Sequence, residues 1–234
     1  MIWSASYEKT RIAIDFQNSL KGYYDLITQK ACPLCSYPLT MEDECPRLKV
    51  HPEVHSKFVA KGYTIGLYSS YSGRSSDFLS KHIANLKHYR NKAEPLGSAI
   101  VELIKNRDSE LLKTDCIVFV PQHTTELHFD RDSGSYFDQA CELAKIVSDV
   151  LKIPVMQALG KKRPQSMEGL NAAQRKQAVT ELYECKSKSL SGKYVLLVDD
   201  VSTSDSTLGA CAEEIMKSGA NEVRSYVCAI NRLT

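Results

Sequence analysis

The sequence lacks the features that would direct a chain to a membrane, to secretion or to nucleic acid. Its 234 residues carry a net charge of only +2, whereas surfaces that neutralise phosphates usually show a clear basic excess. No run approaches the roughly 20 consecutive apolar residues that span a bilayer. The first ten residues also lack the basic-then-apolar pattern of a secretory signal. We therefore expect a cytoplasmic protein.

The two commonest nucleotide-binding loops are absent as well. Neither a GxxxxGK[ST] loop nor a GxGxxG turn occurs in the sequence. Because these loops are the signatures of P-loop and Rossmann-type sites, both classes are excluded. There is also no internal repeat and no low-complexity tract, so a repeat architecture is not expected.

The eight cysteines are not spaced as a disulfide framework. Cys32, Cys35 and Cys45 lie close together, whereas the other five are scattered among apolar residues. Scattered cysteines usually behave as small buried hydrophobes. A cluster in an intracellular protein more often binds a metal than forms disulfide bridges.

A Cys-x2-Cys pair within this cluster predicts a structural zinc site. Cys32 and Cys35 form the usual first half of such a site. Cys45, His51 and His55 follow and can supply the second half. Four ligands complete a tetrahedral site, so the simplest set is the three cysteines with either histidine. A closed site of this kind has no open position for chemistry.

The remaining chain alternates apolar strands with helices. Apolar residues at helical spacing predict a helix over most of residues 8–28, and we place a boundary between an N-terminal region, 1–57, and a main domain, 58–234. In the main domain, strands are predicted at 63–68, 116–120, 155–159, 194–198 and 223–230. Helices are predicted around 78–86, from Pro95 to about 104, and at 137–151 and 207–217. The alternation predicts an α/β fold, a mostly parallel sheet with helices on both faces.

The segment from Val195 to Thr207 is the most informative part of the chain. It reads VLLVDDVSTSDST: a buried strand, two adjacent carboxylates, and a loop of small hydroxylated residues that opens a helix. Ligands of open α/β sheets bind outside the carboxyl ends of the strands. The next helix presents free backbone N–H groups to an anion. The arrangement suits a sugar phosphate, with its phosphate on the loop and its vicinal hydroxyls on Asp199 and Asp200. If the two acids only ended a strand and capped a helix, the hydroxyl loop would have no explanation.

This segment resembles the phosphoribosyl-pyrophosphate (PRPP) motif of class I phosphoribosyltransferases. It departs at Ser204 and Asp205, where that family usually has Thr and Gly. The whole chain is similar to the ComF family, phosphoribosyltransferase-like proteins associated with DNA uptake and natural competence. Cys32-Pro-Leu-Cys35 stands where members begin a zinc knuckle. Shorter matches are Lys87, Val120-Pro121, Leu170, Arg175 and Val179.

The resemblance implies a class I phosphoribosyltransferase-like fold, PRPP or a related sugar phosphate as ligand, and Mg²⁺ bound with it. Asp199, Asp200 and Arg163 would be the catalytic residues, with Lys161, Lys162 and Arg163 on a loop that could close over the pyrophosphate. PRPP-binding residues would be Val201, Ser202, Thr203, Ser204, Asp205, Ser206, Thr207, Lys87, Pro121 and Gln122. Proteins of DNA uptake or processing would be partners.

The chain also departs from the family at positions that bear on catalysis. Where the family reads Arg-Gly-Phe-Asn-Gln, residues 135–139 are Ser-Tyr-Phe-Asp-Gln, and a loop Gln and Asn are replaced by Met167 and Ala178. Arg131, Arg163 and Gln165 are candidates to replace the lost donors. Two hypotheses remain: a transferase acting on a nucleobase or amine, or a PRPP- or nucleotide-binding module without transferase activity.

Overall fold

The computed structural model describes residues 57–68, 70–71, 74–75, 78–165, 178–179, 181–187, 189–202 and 206–231. The predicted helix at 8–28 and the predicted zinc ligands lie outside the described residues. These ligands are Cys32, Cys35, Cys45, His51 and His55.

The described strands and helices follow the alternation predicted for the main domain. The strands are β1 (Lys61–Tyr68), β2 (Ser70–Tyr71), β3 (Arg74–Ser75), β4 (Cys116–Phe119), β5 (His128–Phe129), β6 (Tyr136–Phe137), β7 (Leu159–Lys161), β8 (Tyr183–Cys185), β9 (Tyr194–Ser202) and β10 (Glu222–Asn231). The α-helices are α1 (Phe78–Leu86), α2 (Ala93–Asn106), α3 (Gln139–Leu151) and α4 (Ser206–Lys217).

Four of these strands form a parallel sheet in the order β1-β10-β9-β4. The strand β9 therefore lies inside the sheet, paired on both sides. Three short antiparallel pairs, β2–β3, β5–β6 and β7–β8, lie outside it. The predicted parallel sheet is confirmed.

Helices cover both faces of this sheet, as predicted. Side chains alternate between faces along a strand, so Leu196 and Val198 of β9 pack in one core with α1, α2 and α3. Val195 and Leu197 face the opposite way and pack in a second core with α4. Burial on both faces explains why residues 195–198 of this strand are all apolar rather than apolar at alternate positions.

The predicted strand at 155–159 is wrong in its bounds. Val155 makes only a single parallel bridge, to Ile117. The strand is β7, which begins at Leu159 and pairs antiparallel with β8 outside the sheet. Apolar content predicted this segment because Ala158 and Leu159 are buried in the second core. Burial alone does not indicate the strand with which a segment pairs.

Two other boundaries differ in ways that affect the site. The strand β9 does not end at Val198 but continues to Ser202, because its pairing with β10 runs through Asp199 and Val201. The helix α3 begins at Gln139 rather than at Phe137. The two residues before its cap, Tyr136 and Phe137, pair with β5 instead.

Candidate active site

Asp199 and Asp200 lie at the carboxyl edge of the sheet, beside the end of β4. Phe119, the last residue of β4, is opposite Val198 of β9, and the Val120 N–H donates to the Val198 carbonyl at 2.9 Å. The two acids therefore stand level with the loop that leaves β4. Strand alternation sends their side chains to opposite faces of β9.

A cleft of about 130 Å³ opens at this edge. It is built from five parts of the chain: the loop after β4, the start of α3, the β7–β8 region, the end of β9 and the first turn of α4. Its lining includes Pro121, Gln122, Asp138, Gln139, Lys161, Gln165, Tyr183, Asp199, Asp200 and Thr207.

Asp138 fastens the loop after β4 to the start of α3. One carboxylate oxygen caps the helix by accepting from the Cys141 N–H at 3.1 Å, and the other accepts from the Gln122 N–H at 2.7 Å. Burial raises the pKa of the Asp138 carboxyl, against the lowering effect of these N–H donors. The cap thus fixes the position of the backbone that leaves β4.

Gln139 holds Asp200 from the other side of the cleft. Its amide, 2% exposed, is oriented so that the nitrogen donates to Asp200 Oδ2 at 3.1 Å and to His128 Nε2 at 2.9 Å. Its oxygen then accepts from the Lys87 N–H at 3.2 Å. His128 must be neutral to accept this bond, and burial lowers the pKa of its imidazole.

The two aspartates remain available to hydroxyl donors or to a cation. Each carboxylate is oriented by the backbone N–H of the next residue. The Asp200 N–H donates to Asp199 Oδ1 at 2.9 Å, and the Val201 N–H donates to Asp200 Oδ1 at 2.8 Å. Burial, followed by the charge of Asp200, raises the pKa of Asp199 well above its ordinary value. The salt bridges between described residues include neither acid.

On the β7–β8 side, the cleft is bounded by an ion pair and a buried phenol. Lys161 Nζ lies 2.6 Å from Glu126 Oε2, and the Gln165 N–H donates to Glu126 Oε1 at 2.8 Å. Burial raises the pKa of the Tyr183 phenol, so its hydroxyl stays protonated. Arg163 lies outside the lining, 59% exposed and 3.9 Å from Glu181.

The structure brings many of the predicted site residues together. Asp199, Asp200, Pro121, Gln122 and Thr207 all line the cleft. Four others that are described do not line it: Val201 packs against the first core, Ser202 is buried, Ser206 begins α4, and Lys87 is exposed after α1. Thr203, Ser204 and Asp205 lie outside the described residues.

Among the residues of the site that were not expected from the sequence are Glu126, His128 and Tyr183. They lie on short strands or loops without periodicity, and each reaches the cleft through a contact distant in the sequence. Asp138 carried a local signal, because an acid directly before an amphipathic run is the usual helix cap.

The described residues contain neither a cluster of metal ligands nor a helix that could cross a membrane. No group of three or more His, Cys, Asp and Glu residues among them could hold a metal ion by protein ligands alone. No described helix has both the length and the apolar character that crossing a membrane requires. The five cysteines in this part of the chain are free thiols, and Cys116, Cys211 and Cys228 are buried, as expected for small hydrophobes.

Residues 138–232 match the model of the phosphoribosyl transferase domain. The match covers fewer than half of the 234 residues, but it contains α3, β9, α4 and β10, and so the helix cap and both aspartates. This segment is therefore phosphoribosyltransferase-like. No curated protein matched the chain.

Three solved structures illustrate what the chain is similar to. Glutamine PRPP amidotransferase from B. subtilis, complexed with ADP and GMP, is 20% identical over 68% of this chain and 29% of its own, with a TM-score of 0.39. A purine phosphoribosyltransferase from Pyrococcus horikoshii is 20% identical over 59% and 82%, with a TM-score of 0.38. A hypothetical protein from Neisseria gonorrhoeae with bound ppGpp is 18% identical over 60% and 68%, with a TM-score of 0.37. The chain spans less than a third of the B. subtilis enzyme.

Proposed function

We propose that the chain is a phosphoribosyltransferase-like protein of the ComF type, which binds PRPP with Mg²⁺ and transfers its phosphoribosyl group to an unidentified acceptor, with nucleobases and amines as the candidates to test. One observation carries the proposal: Asp199 and Asp200 line a cleft at the carboxyl edge of an internal strand of a parallel sheet, where α4 also begins. The match of residues 138–232 to the phosphoribosyl transferase domain supports it.

The ribose would lie against the two aspartates. Vicinal hydroxyls are donors, and carboxylates accept from them strongly. Gln139 and the backbone N–H groups already hold these side chains, so little reorganisation would accompany binding.

The 5′-phosphate would lie at the start of α4. Thr207 lines the cleft in the first turn of this 12-residue helix. Its hydroxyl and the backbone N–H groups of that turn are donors of the kind that a phosphate requires. The same turn lies beside the carboxylates, as the distance between the phosphate and the hydroxyls of one sugar demands.

The oxygen atoms of the cleft suit a magnesium ion that enters with the substrate. Mg²⁺ prefers oxygen ligands and usually binds through one or two carboxylates, waters and substrate phosphates. Asp199 and Asp200 offer carboxylate oxygens. Within the described chain, Gln122 Oε1 is also a buried oxygen of this cleft that lacks a hydrogen-bond partner. When bound, Mg²⁺ would neutralise charge on the pyrophosphate.

In the transfer, the acceptor's lone pair would bond to the anomeric carbon, and the bond from that carbon to pyrophosphate would break with its electron pair. The reacting carbon gains positive character, which the nearby carboxylates would stabilise. The chain would contribute orientation and charge rather than a covalent intermediate. Arg163 would approach the pyrophosphate only if its exposed segment moved inward, as loops over such sites often do.

The test is a thermal shift with PRPP and Mg²⁺. Ligand at a hundredfold excess over Kd stabilises the folded state by ~2.7 kcal/mol. The combined change of Asp199→Asn and Asp200→Asn should abolish the shift while the protein stays folded, whereas Asp149→Asn, at an exposed position of α3, should keep it. A shift that survives in the double variant would place the ligand elsewhere.

A second candidate function is a non-catalytic PRPP- or nucleotide-binding module that acts through partners in DNA uptake or processing. The observation that favours it is that two cationic side chains are not free to bind pyrophosphate in this structure. Lys161 forms an ion pair with Glu126, and Arg163 lies outside the cleft. Pyrophosphate release from PRPP with Mg²⁺, measured against a panel of nucleobases and amines, separates the two functions. An acceptor-dependent release that falls at least about tenfold in Arg163→Ala, or ~1.4 kcal/mol, supports the enzyme. Binding without release supports the module.

We also propose a structural Zn²⁺ in the N-terminal region and a cytoplasmic location. The spacing of the cysteines and histidines at 32, 35, 45, 51 and 55 supports the metal. Free cysteines in the main domain agree with a reducing compartment.

A further inference from the structure

The carboxylate of Glu126 is surrounded by donors at the edge of the cleft. Lys161 Nζ lies 2.6 Å from Oε2, the Gln165 N–H donates to Oε1 at 2.8 Å, and the His123 N–H lies 3.3 Å from Oε2. An ammonium and two backbone N–H groups from different segments thus converge on one anionic group.

Two of the three donor residues line the cleft of the two aspartates. Lys161 and Gln165 line it together with Asp199 and Asp200, and the Lys161 side chain is only 7% exposed. The segment that carries Glu126 leaves β4, the strand beside β9. A long carboxylate side chain therefore lies where a substrate group next to the ribose hydroxyls would arrive.

The donor set is of the kind that recognises a phosphate. Lysine ammonium groups and backbone N–H groups are the common partners of phosphate oxygens, and their hydrogen bonds to anions are stronger than neutral ones. The Lys161 ammonium and the backbone amide of Gln165 hold the pKa of Glu126 below its ordinary value, although burial opposes the charged form. Glu126 therefore satisfies these donors as an anion at neutral pH.

We propose that Glu126 is an internal competitor for the pyrophosphate of the substrate: its carboxylate occupies Lys161 Nζ, the Gln165 N–H and the His123 N–H until pyrophosphate displaces it. This inference rests on the proposed function. Glu126 is more exposed than Lys161, 27% against 7%, so the carboxylate can turn to water while the ammonium stays. Its departure would also release residues 123–126 from the β7–β8 side.

The alternative role for Glu126 is purely structural, as a fastening between the loop after β4 and the β7–β8 region. The two roles predict opposite changes in affinity for Glu126→Gln. The glutamine keeps the size and one of the two acceptor oxygens but removes the negative charge. A competitor weakened in this way lets pyrophosphate bind more tightly, whereas a weakened fastening loosens the site.

The experiment is titration calorimetry of the full chain with PRPP, with inorganic pyrophosphate and with ribose 5-phosphate, each with Mg²⁺. We expect Glu126→Gln to lower the Kd of PRPP and pyrophosphate about tenfold, equivalent to ~1.4 kcal/mol, and to leave that of ribose 5-phosphate unchanged. Lys161→Met should weaken pyrophosphate binding and cancel the gain in the double variant. The matched control is Glu184→Gln, because Glu184 pairs with Lys186 at 3.2 Å on β8 outside the lining of the cleft. It should leave all three values unchanged.

The outcomes separate this inference from the proposed function. Wild type that binds PRPP, with a Kd that Glu126→Gln leaves equal or raises, overturns the competitor role alone. A gain that extends to ribose 5-phosphate also overturns it, because the effect would then not concern pyrophosphate. Failure of wild type and Glu126→Gln alike to bind PRPP or pyrophosphate overturns the proposed function itself.

Discussion

Asp199 should destabilise the protein in the absence of ligand. Its carboxylate is held beside Asp200 without a described cation, and burial and the Asp200 charge raise the pKa of Asp199 well above its ordinary value. Replacement by asparagine keeps the oxygen that accepts from the Asp200 N–H at 2.9 Å and removes the charge. We therefore expect Asp199→Asn to be more stable than wild type near pH 8.

The expected gain in stability of Asp199→Asn can be given a rough size. Substitutions that relieve a destabilised functional site commonly gain about 0.5–2 kcal/mol. For a chain of this length each kcal/mol shifts Tm by about 2–4 °C, so the expected rise in Tm is about 1–8 °C.

The pH dependence gives the sharper test. A carboxyl with a raised pKa in the folded state binds its proton more tightly there than in the unfolded chain. Its contribution to stability is complete below the unfolded pKa near 3.8 and is lost as pH rises through the folded pKa. The advantage of Asp199→Asn should therefore be largest at about pH 8 and shrink toward about pH 4.

Thermal unfolding followed by circular dichroism, without ligand or Mg²⁺, measures this difference. Asp149→Asn, at an exposed position of α3, is the control for net charge and should show no comparable pH-dependent gain. An Asp199→Asn protein that melts at or below the wild-type temperature at pH 8 would refute the reasoning. A gain that is the same at both ends of the pH range would also refute it.

Three further predictions concern other parts of the chain. Gly97→Ala should lower stability by about 1–3 kcal/mol in denaturant unfolding, because its Cβ would lie 2.7 Å from Ile146 of α3; equal stability would show that the helices can separate. Asp138→Ala should cost about 0.5–2 kcal/mol by removing the cap of α3 and the acceptor of the Gln122 N–H; an unchanged Tm would contradict the role of this cap. Purified protein should contain about one zinc per chain, which Cys35→Ser should reduce; metal-free protein never exposed to chelator would remove the predicted zinc site.

The sheet was predictable from local sequence, because a strand buried on both faces needs apolar residues at consecutive positions. Strand β4, residues 195–198 of β9 and residues 226–230 of β10 are continuous apolar runs, and the helices between these strands carry apolar residues at helical spacing. The prediction failed at 155–159, where apolar residues are buried beside the sheet rather than in it. The apolar character of a segment indicates that it is buried. The strand with which it pairs depends on the path of the rest of the chain.

The candidate site was predictable only in part. Asp199 and Asp200 are adjacent in the sequence and stand next to the segment that begins α4, so one stretch of sequence predicts both halves of the proposed sugar-phosphate site. Gln139 and Glu126 reach the cleft by contacts with Asp200 and Lys161, across 61 and 35 residues of chain respectively. No periodicity links positions that far apart.

The sequence by itself therefore determined the sheet, the placing of two carboxylates on a strand within it, and the residue types suited to a sugar phosphate. These properties are local, since each depends on apolar alternation or on neighbours along the chain. Only the tertiary structure decided that Asp138 ties the loop after β4 to α3, and that Glu126 lies against Lys161. Those contacts arise where separate segments leave the same edge of the sheet, and their geometry is set by the packing of the whole domain.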